Sequence, residues 1–381
     1  MEKIEPVNQS RLLSLDVFRG ITIAMMILVN NMGSHEYVYP QLGHSDWNGC
    51  TLTDLVFPFF LFIIGVSICF AMDKKRYNTP HREIIAAAAR RSMIMIGLSF
   101  VLFLFPKVFT APIDAILNLR IQGILFRIAI VYFLATLIFI KTKLGTQIIL
   151  GILFLVGYWC VLSFIPVPGI GAANYGKDTN MGAYLDRGLF GTSHLLHKTW
   201  DPQALLGTIP SIATVIMGIV TGHILRNSKY GMNRRCIHLL VLGLSTIMLG
   251  IAWGQFFPIN KSLWTSSYVL YTGGLACVGL SASYYLIDIK GIKVPFLPFL
   301  ALGRNAITLY FLSELLPRIL NIIPIKTSGG SMDLRTFIYH KLLQPIFESP
   351  YLDSLASGIF YMLLFTALAW WMYKKDIMIK I

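Results

Sequence analysis

The stretch LGHSDWNGCTLTDLVFPFFLFIIGVSICFAM, Leu42–Met72, decides the fold. It opens on His44, Asp46, Trp47 and Asn48, and from Leu52 onward its only charge is Asp54. A run of that length and apolarity meets the roughly 20 residues needed to cross a bilayer core of roughly 30 Å. Outward from it the same signal recurs. Spans are expected near 13–32, 51–72, 90–105 (stopped by Pro106), 122–140, 146–164, 206–225, 236–257, 266–287, 297–320 and 354–373. The fold class is therefore all-α and polytopic, with about ten transmembrane helices forming one domain over 1–381.

Composition agrees. The 381 residues are 55% hydrophobic and 13% charged, with a mean hydropathy of +0.66. Soluble domains carry about twice that charge. The first span follows a polar start, MEKIEPVNQSR, without a small-residue cleavage site, so it is expected to be a retained helix. The net charge of +14 is ordinary for a membrane protein that keeps Lys and Arg on its cytoplasmic side, and no nucleic-acid partner is expected. Five scattered cysteines without C-x-x-C spacing imply neither a metal site nor a disulfide framework.

Lys and Arg also set the expected topology. With the N-terminus inside, Lys3, Arg11, the 74–91 cluster, Lys141, Lys143, Arg226–Arg235, Lys290, Lys293 and the basic tail all fall inside. An even number of spans returns the C-terminus to the cytoplasm. The segment before Asp54 and a long loop at about 165–205 then lie outside. That loop is rich in Gly, aromatic and polar residues, a composition more functional than disordered.

Polar groups at membrane depth are costly, so each needs a partner or a task. His44 is suited to general base catalysis near neutral pH. Asp54 would orient its imidazole, and Asn30, at the outer end of span one, would face a developing oxyanion. The plainer reading makes His44 a loop residue and Asp54 a helix cap beside Thr51 and Thr53; His35 is a rival base. Arg19, Arg90, Arg91, Arg127 and Arg304 are suited to an anionic ligand. The alternatives are charge flanking for Arg90 and Arg91, and an ion pair with Glu314 for Arg127 or Arg304. Pro210 within a span suggests a broken helix lining a cavity.

Several segments resemble one family. LSLDVFRGITIAMMILVN, HSDWNGCTLTDLVFPFFLFIIGVSI, RIQGILFRIAIVYF, DPQALLGTIPSIATVIMG, PINKSLWTSSYVLYTGGL and LGRNAITLYF are similar, in order, to segments of the heparan-α-glucosaminide N-acetyltransferases. The resemblance implies an acyltransferase that takes acetyl-CoA from the cytosol and acetylates a glucosamine amine across the membrane. Its catalytic residues fall on His44, Asn30 and Asp54, although Asn31 competes with Asn30 and the segment up to His44 is longer than in the lysosomal enzyme. The donor would meet Arg19, Arg90, Arg91, Arg127, Ser266, Arg304 and Asn305; the acceptor would meet Asp46, Trp47, Asn48, Lys261 and Trp264. The lysosomal enzyme has an N-terminal luminal region and a further helix, and the expected location here is a bacterial inner membrane. An amino-sugar permease or an O-acyltransferase of envelope polysaccharide are the alternatives. The oligomeric state, a homodimer included, is left open.

Overall fold

A computed structural model describes residues 12–34, 36–73, 75–327, 330–344 and 347–379. The rival base His35, the N-terminal charges, Lys74 and Lys380 lie outside the described residues. The elements are α1 (Leu13–Asn30), α2 (Leu52–Met72), α3 (His81–Leu104), α4 (Ile124–Lys141), α5 (Leu144–Phe164), a short α6 (Met181–Phe190), α7 (Thr208–Arg226), α8 (Met232–Gly254), α9 (Ser266–Tyr284), α10 (Leu297–Arg304), α11 (Ala306–Leu320) and α12 (Pro350–Lys374). Between α11 and α12 a small antiparallel hairpin pairs Pro324–Thr327 with Gly330–Asp333.

Among the described residues nine helices are long and apolar enough to cross a membrane, and α10 with α11, bent by 75° at their junction, gives a tenth where the pair counts as one broken span rather than a re-entrant loop. The expected single helix over 297–320 is thus corrected. Asn305 leaves the helical region at φ −121°, ψ 36°, and its side chain is occupied elsewhere. Its Nδ2 donates to Ile377 O and its Oδ1 accepts from Ile379 N, both at 2.9 Å. Pro210 breaks nothing: it sits in the first turn of α7, where a missing N–H has no carbonyl to satisfy. The third span also starts earlier than expected, at His81, because Ala86–Ala89 extends the helix. Arg90 and Arg91 therefore lie well inside α3, about 14 Å from its start at 1.5 Å per residue.

Glycines allow the tightest crossings. A Cβ on Gly65 of α2 would stand 2.0 Å from Val215 O, and one on Gly218 of α7 would stand 2.0 Å from Phe62 O. At a second crossing, a Cβ on Gly303 of α10 would stand 1.9 Å from Asp16 O of α1. Helices α1, α2, α4 and α7 hold the core, while α5 and α8 turn broad apolar faces outward, with Met248 70% exposed. Lipid is the solvent such a surface needs.

Candidate active site

Loop chemistry brings His44 to the mouth of α2. Thr51 is the N-cap and Asp54 the N3 residue of a capping box, so Thr51 N donates to Asp54 Oδ2 at 3.1 Å. Thr51 Oγ1 and Ser45 N reach the same oxygen, also at 3.1 Å. Thr53 Oγ1 ties Leu42 O at 2.6 Å and Thr51 Oγ1 ties Gly43 O at 2.7 Å. The chain is thereby folded back so that His44 Nδ1 stands 2.8 Å from Asp54 Oδ1. Asp54 is both helix cap and histidine partner; the two readings of the sequence are compatible. Its side chain is 1% exposed and that of His44 is 59% exposed.

A third group completes the cluster. Lys261 Nζ is 3.2 Å from Asp54 Oδ1 and 3.0 Å from His44 Nδ1. The loop before α9 is built to hold it. Buried Asn260 accepts from Leu263 N at 2.8 Å, donates its backbone N–H to Thr265 Oγ1 at 3.1 Å and its amide to Asn48 Oδ1 at 3.2 Å. Trp264 adopts the left-handed φ of 56° that turns the chain into α9. From the core, Tyr268 donates to Asp54 O at 2.6 Å. Burial pulls the Lys261 ammonium down from its ordinary pKa while Asp54 holds it up. Burial, with Asp54 nearby, pushes the Cys50 thiol up to about 12, so it stays neutral.

Under these groups lies a cavity of about 60 Å³ lined by Asn30, His44, Thr53, Phe57, Lys261 and Tyr310, and also by Phe60 and Ile128. Asn30 donates its amide to Glu314 Oε1 at 2.8 Å. Asn31 is turned away: its side-chain amide donates to Ile27 O at 2.8 Å, and its backbone carbonyl accepts from Ser357 Oγ at 3.0 Å.

Phe60 and Ile128 also line a second cavity, of about 650 Å³, that opens toward the other ends of α1 and α2. Arg19, Arg90, Arg91, Arg304 and Asn305 stand in its wall, with Met378 and Ile379 from the segment after α12. Arg19 donates to Ser67 Oγ at 2.8 Å and pairs with Asp16 at 3.0 Å. Arg91 lies over the Tyr132 ring at 5.3 Å. Arg304 pairs with Asp376 at 3.2 Å and lies over Tyr373 at 4.5 Å.

Two residues grouped with the donor in the sequence are elsewhere. Arg127, 2% exposed, sits one turn into α4 at the His44 end, donating to Ala204 O at 2.7 Å and lying over Trp264 at 5.2 Å. Ser266 is spent on Leu155 O at 2.7 Å. Helix direction explains both: α4 and α9 begin at the His44 end. Glu314 pairs with Arg318 at 3.5 Å, not with Arg127 or Arg304. Trp264 is buried, T-shaped against Phe57 at 4.9 Å, with its Nε1 donating to Thr214 Oγ1 at 3.2 Å, and so serves the core. Asp46 and Asn48 are exposed on the His44 loop. Trp47 docks that loop onto the long connection, donating to Tyr175 O at 2.8 Å with Trp200 edge-on at 5.2 Å.

The sequence reading missed how that long connection is anchored. Arg120 makes a bidentate pair with Asp201 at 2.8 Å, and Gln122 donates to Asp186 Oδ1 at 2.9 Å. Arg120 and Gln122 just before α4, and Asp201 just before α7, were the available signal. Among the described residues no group of three or more His, Cys, Asp or Glu is arranged to hold a metal ion.

Comparison with known proteins matches residues 11–165 to a domain of unknown function, DUF5009. The human heparan-alpha-glucosaminide N-acetyltransferase is 32% identical, over 79% of this chain and 52% of that protein. Its mouse counterpart is 31% identical, over 81% and 54%. The chain thus spans about half the length of the curated relatives it matches.

Proposed function

We propose that this chain, similar to the heparan-α-glucosaminide N-acetyltransferases over about half the length of those proteins, belongs to that family and is a membrane acetyltransferase acting on an amino sugar. The observation that carries the reading is the pair of cavities sharing Phe60 and Ile128. One is a chamber with arginines in its wall; the other lies beneath a histidine held by a buried carboxylate. Acetyl-CoA fits that division. Its phosphates suit Arg90, Arg91, Arg19 and Arg304, since guanidinium binds phosphate with charge-assisted hydrogen bonds. Its uncharged arm suits the apolar side chains of Phe60 and Ile128, which line both cavities.

The chemistry follows from the ring nitrogens. Nδ1–H donated to Asp54 leaves Nε2 with its lone pair. The acceptor amine attacks the thioester carbonyl, the C–N bond forms and the C–S bond breaks. Nε2 takes the amine proton and CoA leaves as the thiolate, which is then protonated. Should Nε2 instead carry the acetyl group, the same lone pair serves. Asn30, with a second amide hydrogen beyond the one given to Glu314, faces the oxyanion. The chamber end is the cytoplasmic one by the distribution of Lys and Arg, and His44 then meets the acceptor on the far side.

The test is incubation of purified protein with labelled acetyl-CoA and glucosamine. Labelled N-acetylglucosamine is expected. Exchange of labelled glucosamine across proteoliposomes without thioester consumption would establish the permease reading instead. In liposomes loaded with glucosamine, product inside the lumen after external acetyl-CoA addition tests the sidedness.

A further inference from the structure

The contact between Lys261 and His44 is a chemical conflict that the reaction outlined above does not use. A ring nitrogen has one in-plane position. His44 Nδ1 either donates a hydrogen to Asp54 Oδ1 at 2.8 Å or accepts one from Lys261 Nζ at 3.0 Å. In the second case Nε2 carries the hydrogen and has no lone pair to offer. Both partners are themselves tied together, Nζ to Oδ1 at 3.2 Å.

The effect on the ring's charge is one-sided. A nearly fully buried carboxylate beside an imidazole favours the imidazolium, which is useless as base or nucleophile. An ammonium at 3.0 Å opposes it, and by sharing Oδ1 it also weakens the carboxylate's pull. The alternative assignment, Lys261 as a binding group for the acceptor, sets a cation against an amine that is itself cationic in water. The effort spent in holding Lys261 points to a role toward the ring. Asn260 is fully buried and fixed by three hydrogen bonds, and the side chain of Lys261 is 19% exposed.

We propose that Lys261 is a positioning residue that keeps His44 uncharged, by sharing Asp54 Oδ1 and standing beside the ring, while Asp54 accepts the Nδ1–H and so leaves the lone pair on Nε2. This rests on the acetyltransferase reading for its purpose, though not for its test. The other titratable groups around the ring are Cys50, neutral beside Asp54, Tyr310 from α11, Asp46 on the same loop, and Glu314, reached through Asn30. Of these, Lys261 is the cation within hydrogen-bonding distance of Nδ1.

Diethyl pyrocarbonate modifies imidazole only in its uncharged form, and mass spectrometry separates carbethoxylated His44 from other modified residues. The rate at His44, 59% exposed, is followed against pH with exposed His81 as internal reference. In Lys261→Met the midpoint of His44 modification is expected to move to higher pH, with a several-fold slower reaction at neutral pH; Lys261→Arg should restore the wild-type curve. Lys261→Gln, uncharged but still a donor, should behave as Lys261→Met and stands in if that variant does not fold. The acid limb of turnover should move in parallel. An unchanged His44 curve in both uncharged variants would overturn the proposal, even if turnover falls. A wild type that modifies as expected but makes no N-acetylglucosamine would refute the acetyltransferase reading and leave the role of Lys261 standing.

Discussion

Asp54→Asn removes a charge and almost no volume, so its cost can be worked from hydrogen bonds alone. Oδ1 serves His44 at 2.8 Å and Lys261 at 3.2 Å; Oδ2 serves Ser45 N, Thr51 N and Thr51 Oγ1, each at 3.1 Å. An amide has one acceptor oxygen. Placed at Oδ2, it keeps the helix cap but turns its NH2 on the ammonium and strands Lys261. Removing one partner of a buried pair costs about 3–5 kcal/mol, and a lysine that retains some water contact suffers less, about 2 kcal/mol. Placed at Oδ1, the amide gives up the hydrogen bonds from Ser45 N and Thr51 N, at about 1 kcal/mol each, the Thr51 hydroxyl having its one hydrogen on Gly43 O. Either way the expected loss is about 2–3 kcal/mol, read as a lower unfolding temperature in detergent. Turnover should fall further, by about a hundred- to ten-thousand-fold: with the amide oxygen at Oδ2 nothing accepts Nδ1–H, and with it at Oδ1 the acceptor is neutral and no longer stabilises the imidazolium formed when Nε2 takes a proton. The assay is acetyl transfer to glucosamine at saturating acetyl-CoA, on protein that elutes as wild type. Turnover within about three-fold of wild type would refute the reasoning, since that is far outside the effect of a positioned base.

Arg90→Ala or Arg91→Ala should each weaken acetyl-CoA binding by about ten-fold or more, the equivalent of one charge-assisted contact, whereas Arg127→Ala should leave Kd unchanged and lower the unfolding temperature; calorimetric titration separates them. Gly65→Ala places a carbon 2.0 Å from Val215 O and should cost about 1–3 kcal/mol through forced separation of α2 and α7; an unchanged unfolding temperature would count against the crossing. Burial raises the pKa of Asp186, so its contribution to stability is present below its unfolded pKa and is lost as pH rises through the folded one. Asp186→Asn, which keeps the acceptor for Gln122 and Leu205, should therefore unfold at a higher temperature than wild type near pH 8, with the gap closing toward about pH 4; a pH-independent gap would contradict this.

The helices were legible because apolar runs are long and unambiguous; the boundaries of α2, α5 and α7 fall within two residues of expectation. The bend at Asn305 was not, because nothing local to LGRNAITLYF marks it: the cause is the grip of its side chain on residues more than seventy positions away. His44 with Asp54 could be paired because ten residues of loop and cap separate them. Lys261 could not be added to that pair from sequence, being 217 positions from His44. Arg127 was misgrouped because a sequence shows that an arginine is within a span but not at which depth its guanidinium finds a partner.

The crossing at Gly65 and Gly218 has a mechanical meaning. Backbone meets backbone there without an intervening side-chain layer, so α2 has no cushion on which to slide or tilt against α7. Helix α2 carries Asp54 at one end and Ser67 and Met72, both in the wall of the arginine chamber, toward the other. Riveted at its middle, it fixes the two chambers as stator rather than rotor. A carrier that works by rocking one half of its bundle against the other needs compliance at such a seam. On the proposed function the moving part would be the cargo, a flexible thioester arm passing Phe60 and Ile128, the two residues common to both chambers.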